Sequence, residues 1–261
     1  MNLVAIDIGN TNISIGLFIE GEEQFIESVS GNDSAAIGSL LKNAWEKIPL
    51  SKRSKEKKHD GAIAVCSVKP QWTTVIKELA KKELSENILL IGKDIPYPIE
   101  LSVNQTGTVG SDRLLAAAAA FAVIESAVVI ADFGTAVTID IVDERGIFLG
   151  GVICPGFEIS AKALHENTAQ LPKISVTKPT LPWGRNTEEA INCGLYYSAV
   201  GTLEEVVRRF AEKTGTWPQT VITGSGAALI KDDCQFVDSY VPNLVTKGVA
   251  LAYQNYLDQM E

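Results

Sequence analysis

Met1-Asn-Leu-Val-Ala-Ile-Asp-Ile-Gly-Asn-Thr-Asn-Ile-Ser-Ile15 decides how the rest of the chain is read. Leu3 to Ile8 is an apolar run of strand type broken only by Asp7, and a second apolar stretch resumes from Ile13 to Phe18. Between them Gly9, Asn10, Thr11 and Asn12 make a polar hairpin tip whose amides, hydroxyl and backbone N–H groups suit an anion. Asp7 at the end of a buried strand is an expensive charge unless a cation sits beside it, so phosphate with Mg²⁺ fits the tip. A turn chosen for geometry alone accounts for one such tip equally well.

A second copy changes that balance. Val128 to Ala131 is another apolar strand, followed by Asp132-Phe-Gly-Thr-Ala136 and then Val137 to Val142 with its own Asp140. Two strand-Asp-x-Gly-polar-strand units about half a chain apart predict a duplicated architecture with two tips facing one cleft.

The 261 residues allow one large domain or two ordinary ones. A net charge of -9 argues against a nucleic-acid or membrane-surface binder, which needs a basic face. Cys66, Cys154, Cys193 and Cys234 show no metal spacing and read as small hydrophobes in a reducing compartment. No signal segment is legible, and no run reaches the roughly 18 apolar residues of a spanning helix, which predicts a cytoplasmic protein. His59 and His165 leave histidine catalysis few candidates.

The spacing predicts β-β-β-α-β-α-β for the first half: after the hairpin a strand over Gln24 to Ser30, a helix over Ser34 to Trp45, a strand from Gly61 to Ser67, a helix from Gln71 to Leu84 and a strand from Asn87 to Ile91. Ser51 to Asp60 is the most basic stretch and, lacking interleaved aromatics, reads as a solvated loop. Pro96 to Gly110 is a crossing loop that delivers Gly110-Ser-Asp-Arg113 to a helix running from Leu114 to about Ile124. Ser111 or Asp112 as a plain N-cap leaves Arg113 opposing the helix dipole, and an anionic neighbour explains it better. In the second half Gly150, Gly151, Pro155 and Gly156 surround a short strand, a helix spans about Glu158 to Glu166, and Thr187 caps a long helix containing Gly194 and Gly201, small residues that let another chain approach. A strand at Thr220 to Thr223 meets the turn Gly224-Ser-Gly226, and a packing helix lies between Pro242 and Asp258. The turn lacks the third glycine of a dinucleotide fingerprint.

Metal-holding carboxylate, phosphate-cradling backbone, a glycine shelf for a flat ring and an acid at a helix start are the parts of a phosphoryl-transfer site. The pattern resembles the superfamily of actin, sugar kinases and heat-shock ATPases, in which two ribonuclease-H-like halves close over a nucleotide. Within it, Asp7-Ile-Gly-Asn-Thr-Asn12, Gly110-Ser-Asp-Arg113, Asp132-Phe-Gly-Thr-Ala136, Gly150-Gly151 through Pro155-Gly156, Thr168-Ala-Gln-Leu-Pro172 and Gly184-Arg-Asn-Thr187 stand in the order of the type III pantothenate kinases.

The resemblance implies an α/β fold of two ribonuclease-H-like, actin-like ATPase domains, mixed β-sheets flanked by helices, over 1–112 and 113–261. It implies that Asp7, Ile8, Gly9, Asn10, Thr11, Asn12, Ile13 and Ser14 form the ATP-binding phosphate loop, with Asp7 near Mg²⁺, and that Thr135 touches ATP. Asp112 is the expected proton acceptor, Gly110, Ser111, Asp112, Arg113 and Thr187 the expected pantothenate contacts, and Asp132 the ligand of a monovalent cation, K⁺ or NH₄⁺. The implied activity is ATP-dependent phosphorylation of the primary hydroxyl of pantothenate, the first step towards coenzyme A, by a homodimer. A regulator of the Bvg accessory factor kind and a small-sugar kinase are the alternatives. Val103 stands where many members carry an aromatic residue, Ser111 replaces the usual small residue, and Val137 replaces a frequent threonine.

Overall fold

The computed structural model describes residues 1–51 and 58–260, so the basic loop expected over Ser51 to Asp60 falls mostly outside the described residues. The chain divides into two compact units, one of Met1–Glu100, Gln105–Ala119 and Asn243–Glu261, the other of Leu101–Asn104 and Ala120–Pro242.

In the first unit the order is β1 (Leu3–Ile8), β2 (Asn12–Ile19), β3 (Glu22–Ser30), α1 (Ser34–Glu46), β4 (Ala62–Ser67), α2 (Pro70–Leu79) and β5 (Ile88–Leu90), the alternation that the spacing predicts. They form one mixed sheet in the order β3-β2-β1-β4-β5. The apolar character of β1, broken only by Asp7, has its reason here: a central strand is covered on both faces. Val4, Ile6 and Ile8 of β1 pack with Ile37, Leu40, Leu41 and Trp45 of α1. Asp33 starts α1 by accepting a hydrogen bond from the Ala36 N–H at 2.9 Å. The helix expected to run to Leu84 is α-helical only to Leu79; a π-helical turn, Ala80–Leu84, completes it, and Ser85 at φ 61 ends it.

The loop after β5 contains a two-residue strand, β6 (Glu100–Leu101), and a 3₁₀ turn, Thr106–Thr108, before α3 (Ser111–Ile124). Then come β7 (Val128–Phe133), β8 (Ala136–Val142), β9 (Ile147–Pro155), α4 (Phe157–Glu166), α5 (Thr187–Thr214), β10 (Gln219–Thr223), α6 (Ala227–Ile230), β11 (Ser239–Tyr240) and α7 (Leu244–Asp258). The second sheet is ordered β11-β10-β7-β8-β9-β6. Alternate residues of β7 and β8, Val129, Ala131, Phe133, Val137, Ile139 and Ile141, share a core with Tyr196, Leu203 and Val207 of α5. The last helix, α7, returns to the first unit, where Thr246 packs against Gly16 of β2. A linear cut between 112 and 113 passes through that first unit.

Candidate functional site

The first tip is built as the hairpin reading requires. β1 and β2 pair antiparallel with Asp7 opposite Ser14 and Ile8 opposite Ile13, and the Gly9 N–H closes the turn on the Asn12 carbonyl at 3.1 Å. Asn10, Thr11 and Asn12 are exposed, whereas the side chains of Ile8 and Ile13 are fully buried. Those two positions therefore expose their backbone only, and Ser14 points its hydroxyl at Ser28, 2.7 Å away.

Asp7 also pairs with Cys66 of the parallel neighbour β4, so both side chains leave the sheet on one face. The Cys66 thiol donates to Ser111 Oγ at 3.3 Å, and the Ser111 hydroxyl donates to the Ser67 carbonyl at 3.2 Å. These bonds tie the start of α3 to the end of β4. Burial, and after it the Asp7 carboxylate, push the Cys66 thiol well up; the bond to Ser111 opposes them and Asp112 adds to them. Asp7 and Asp112 thus both lie near one buried sulfur. The helix expected from Leu114 begins earlier: α3 starts at Ser111, so Ser111 and Asp112 are residues of its first turn and not plain N-caps. Asp112 Oδ1 accepts the Arg113 N–H at 2.9 Å.

The second tip repeats the first in the other unit. Asp132 pairs with Thr138 and Phe133 with Val137, while the Gly134 N–H closes the turn on the Ala136 carbonyl at 3.1 Å. Thr135 is exposed and Asp132 half-buried. The late glycine turn packs directly beneath: the Gly226 N–H donates to the Phe133 carbonyl at 2.9 Å. Gly224 has φ +89, and a Cβ there would collide with Asp132 Oδ1. Thr187 is not the cap of α5. Asn186 is, accepting the Glu189 N–H at 2.9 Å while Glu189 reaches back to Asn186 Nδ2 at 2.9 Å. Glu189 Oε2 also accepts the Arg185 N–H at 2.7 Å, so the cap and the acid three residues on hold each other in place. Thr187 becomes the exposed first residue of the helix.

Cys66, Cys193 and Cys234 are buried and Cys154 half-buried, all as free thiols. Two neighbours of the expected site residues escaped the sequence reading. Tyr97, in the crossing loop, has its pKa raised chiefly by burial, with the nearby Ser111 hydroxyl opposing and Asp112 adding to the shift. Lys69, just before α2, places its Nζ 3.0 Å from the Asn10 carbonyl. Neither carries a local motif; a Lys-Pro step at a helix start gives no sign of reaching a hairpin tip near the other end of the sheet's sequence.

Among the described residues no group of three or more His, Cys, Asp or Glu side chains forms a metal cage. The donor set suits Mg²⁺ nonetheless, because that ion characteristically takes one or two carboxylates and fills its shell with phosphate oxygens and water.

Two ribonuclease-H-like units, each with an Asp-x-Gly hairpin tip, place the chain in the actin-like ATPase and sugar kinase class. A Baf family protein from Campylobacter jejuni shares this fold over 99% of the chain and 100% of its own, at a TM-score of 0.61 and 19% identity. MreB 5 of Spiroplasma citri bound to AMPPNP matches over 99% and 98%, at a TM-score of 0.50 and 11% identity. Within that class the chain belongs to the type III pantothenate kinase family, whose model matches residues 3–209. The type III pantothenate kinase of Dehalococcoides mccartyi strain 195 is 35% identical over 256 residues, 97% of each chain. That of Brevibacillus brevis is 34% identical over 255 residues, 97% of this chain and 98% of its own.

Proposed function

We propose that this kinase transfers the γ-phosphoryl group of ATP to the primary hydroxyl of pantothenate, with Asp112 as the proton acceptor. The observation that carries the reading is the anchoring of α3 to β4, which fixes Asp112 in the same unit and near the same buried sulfur as Asp7. The hydroxyl oxygen forms the new bond to γ-phosphorus, the bond to the bridging oxygen breaks, ADP leaves and the hydroxyl proton passes to Asp112. In a loose transition state the proton leaves late, so the carboxylate serves first by orienting the hydroxyl.

Gly9 to Asn12 of the first tip cradle phosphate, Asp7 holds Mg²⁺ through phosphate oxygens, and Thr135 of the second tip contacts the nucleotide. Bound Mg²⁺ supplies charge neutralisation on the phosphates. Asp132 binds a monovalent cation, K⁺ or NH₄⁺, which relieves the repulsion between its carboxylate and the phosphates. Gly110, Ser111, Arg113 and Thr187 contact pantothenate. The enzyme works as a cytoplasmic homodimer, and the face of α5 with Gly194 and Gly201 is the contact: a Cβ at either glycine meets only open space, and Tyr197 between them is 43% exposed. The regulator alternative is not favoured, since the curated relatives are kinases.

ADP release with and without pantothenate, in K⁺ and then in Na⁺, tests the reading. Pantothenate-dependent turnover that falls in Na⁺ supports both the acceptor and the cation; ATP binding without stimulation by pantothenate in either buffer overturns the assignment.

A further inference from the structure

Four contacts in the first unit close a ring around the exposed phosphate tip. Lys69 Nζ donates to the Asn10 carbonyl at 3.0 Å and lies 3.3 Å from the centroid of the Trp72 ring. The Trp72 indole fills the space over Gly31, where a Cβ would collide with it, and the Gly31 N–H donates to the Thr11 carbonyl at 3.1 Å. Lys69 is thus held at the tip by an aromatic face that is itself wedged against the strand next to the tip. A flexible ammonium ordinarily pays rotamer entropy for such a contact; here the ring has already restricted it.

We infer that Lys69 is a phosphate-binding residue, its ammonium contacting the β- or γ-phosphate of the nucleotide on the Gly9–Asn12 tip. The inference rests on the reading of that tip as the ATP phosphate loop. An ammonium carries three donors, and the Asn10 carbonyl takes one. Asp7 stands two residues before Gly9 on the strand that leads into the tip, so a polyphosphate arriving there meets like charge, which the Lys69 ammonium on the Asn10 carbonyl offsets. The charge-assisted bond it offers grows with the charge on the phosphate, which separates the inference from a purely structural clamp.

The test compares nucleotides that differ only in phosphate number, by calorimetry on the full chain without acceptor. Lys69→Met is expected to weaken ADP and ATP about ten-fold and leave AMP unchanged, while Lys69→Arg keeps most of the ADP affinity. A structural clamp predicts that AMP and ADP weaken together or not at all, and either result overturns the inference. A second measurement needs no variant: amine acylation of wild-type protein, read by mass spectrometry, is expected to mark Lys69 when it is free or bound to AMP and to spare it with ADP. Equal labelling with both nucleotides also overturns the inference. Because neither assay contains pantothenate, failure of the acceptor assignment appears separately, in the turnover measurement. A wild-type protein that binds ADP no better than AMP overturns the phosphate-loop reading itself.

Discussion

Gly224 shows how a single position without a side chain serves one with a charge. Its φ of +89 and the Asp132 carboxylate lying against its Cα leave no room for a methyl group. Gly224→Ala is expected to cost about 1 to 3 kcal/mol through strain and to displace Asp132. A lowered melting temperature together with weaker activation by K⁺ checks both effects; a variant with lowered stability and unchanged K⁺ activation would separate Asp132 from the cation. Asp112→Asn tests the acceptor side: kcat is expected to fall about 10² to 10³-fold with the affinity for ATP kept. Full turnover would reduce Asp112 to a first-turn helix residue.

Among elements, the β8–β9 hairpin depends on one carboxylate. Asp143 Oδ1 accepts the N–H groups of Arg145 at 3.0 Å and Ile147 at 2.9 Å, and Oδ2 accepts the Arg145 guanidinium at 3.1 and 2.9 Å. Desolvation raises its pKa, but the bonds to Ile147 and Arg145 together outweigh that and hold it below the ordinary carboxylate value. A depressed folded pKa means stability that is fully present above the unfolded value, about 3.9, and lost as pH falls through the folded one. Asp143→Asn is expected to cost about 1 to 2 kcal/mol at neutral pH, and the gap in melting temperature from wild type should close below about pH 4. A gap independent of pH would mean that the charge contributes nothing. The long helix α5 carries Gly194 and Gly201 exposed, which weakens it as an isolated helix, and they lie on the face proposed above as the dimer contact. Gly201→Arg is expected to shift the enzyme from dimer to monomer in sedimentation while α5 stays folded; an unchanged dimer would move the contact elsewhere.

Over the whole molecule, the repeated Asp-x-Gly tips were legible because a buried strand ending in a charge, a glycine and small polar residues is locally unmistakable. Most strands followed for the same reason, as hydrophobic period and turn residues are short-range signals; the two-residue strands β6 and β11 are too short to show a period, and β9, read as a short strand, runs for nine residues because Gly150 and Gly151 stay within its ladder to β8. What the sequence could not display is pairing across distance. The hold of Ser111 on Ser67, the reach of Lys69 to Asn10 and the return of α7 to the first sheet each join residues far apart in the chain, and no local pattern encodes them. The preference for Asn186 over Thr187 at the start of α5 was nearer to hand: asparagine is a favoured N-cap, and Glu189, three residues on, stood within reach of its side chain.

The return of α7 has a consequence during synthesis. Strands β1 to β5 leave the ribosome early, yet the helix that packs against them is translated only after the whole stretch Ala120–Pro242. At about 5 to 20 residues per second that delay is roughly ten seconds. Throughout it the apolar face later covered by α7 is open to chaperones and to other nascent chains, and only at its end does the intervening unit have all of its own strands and helices.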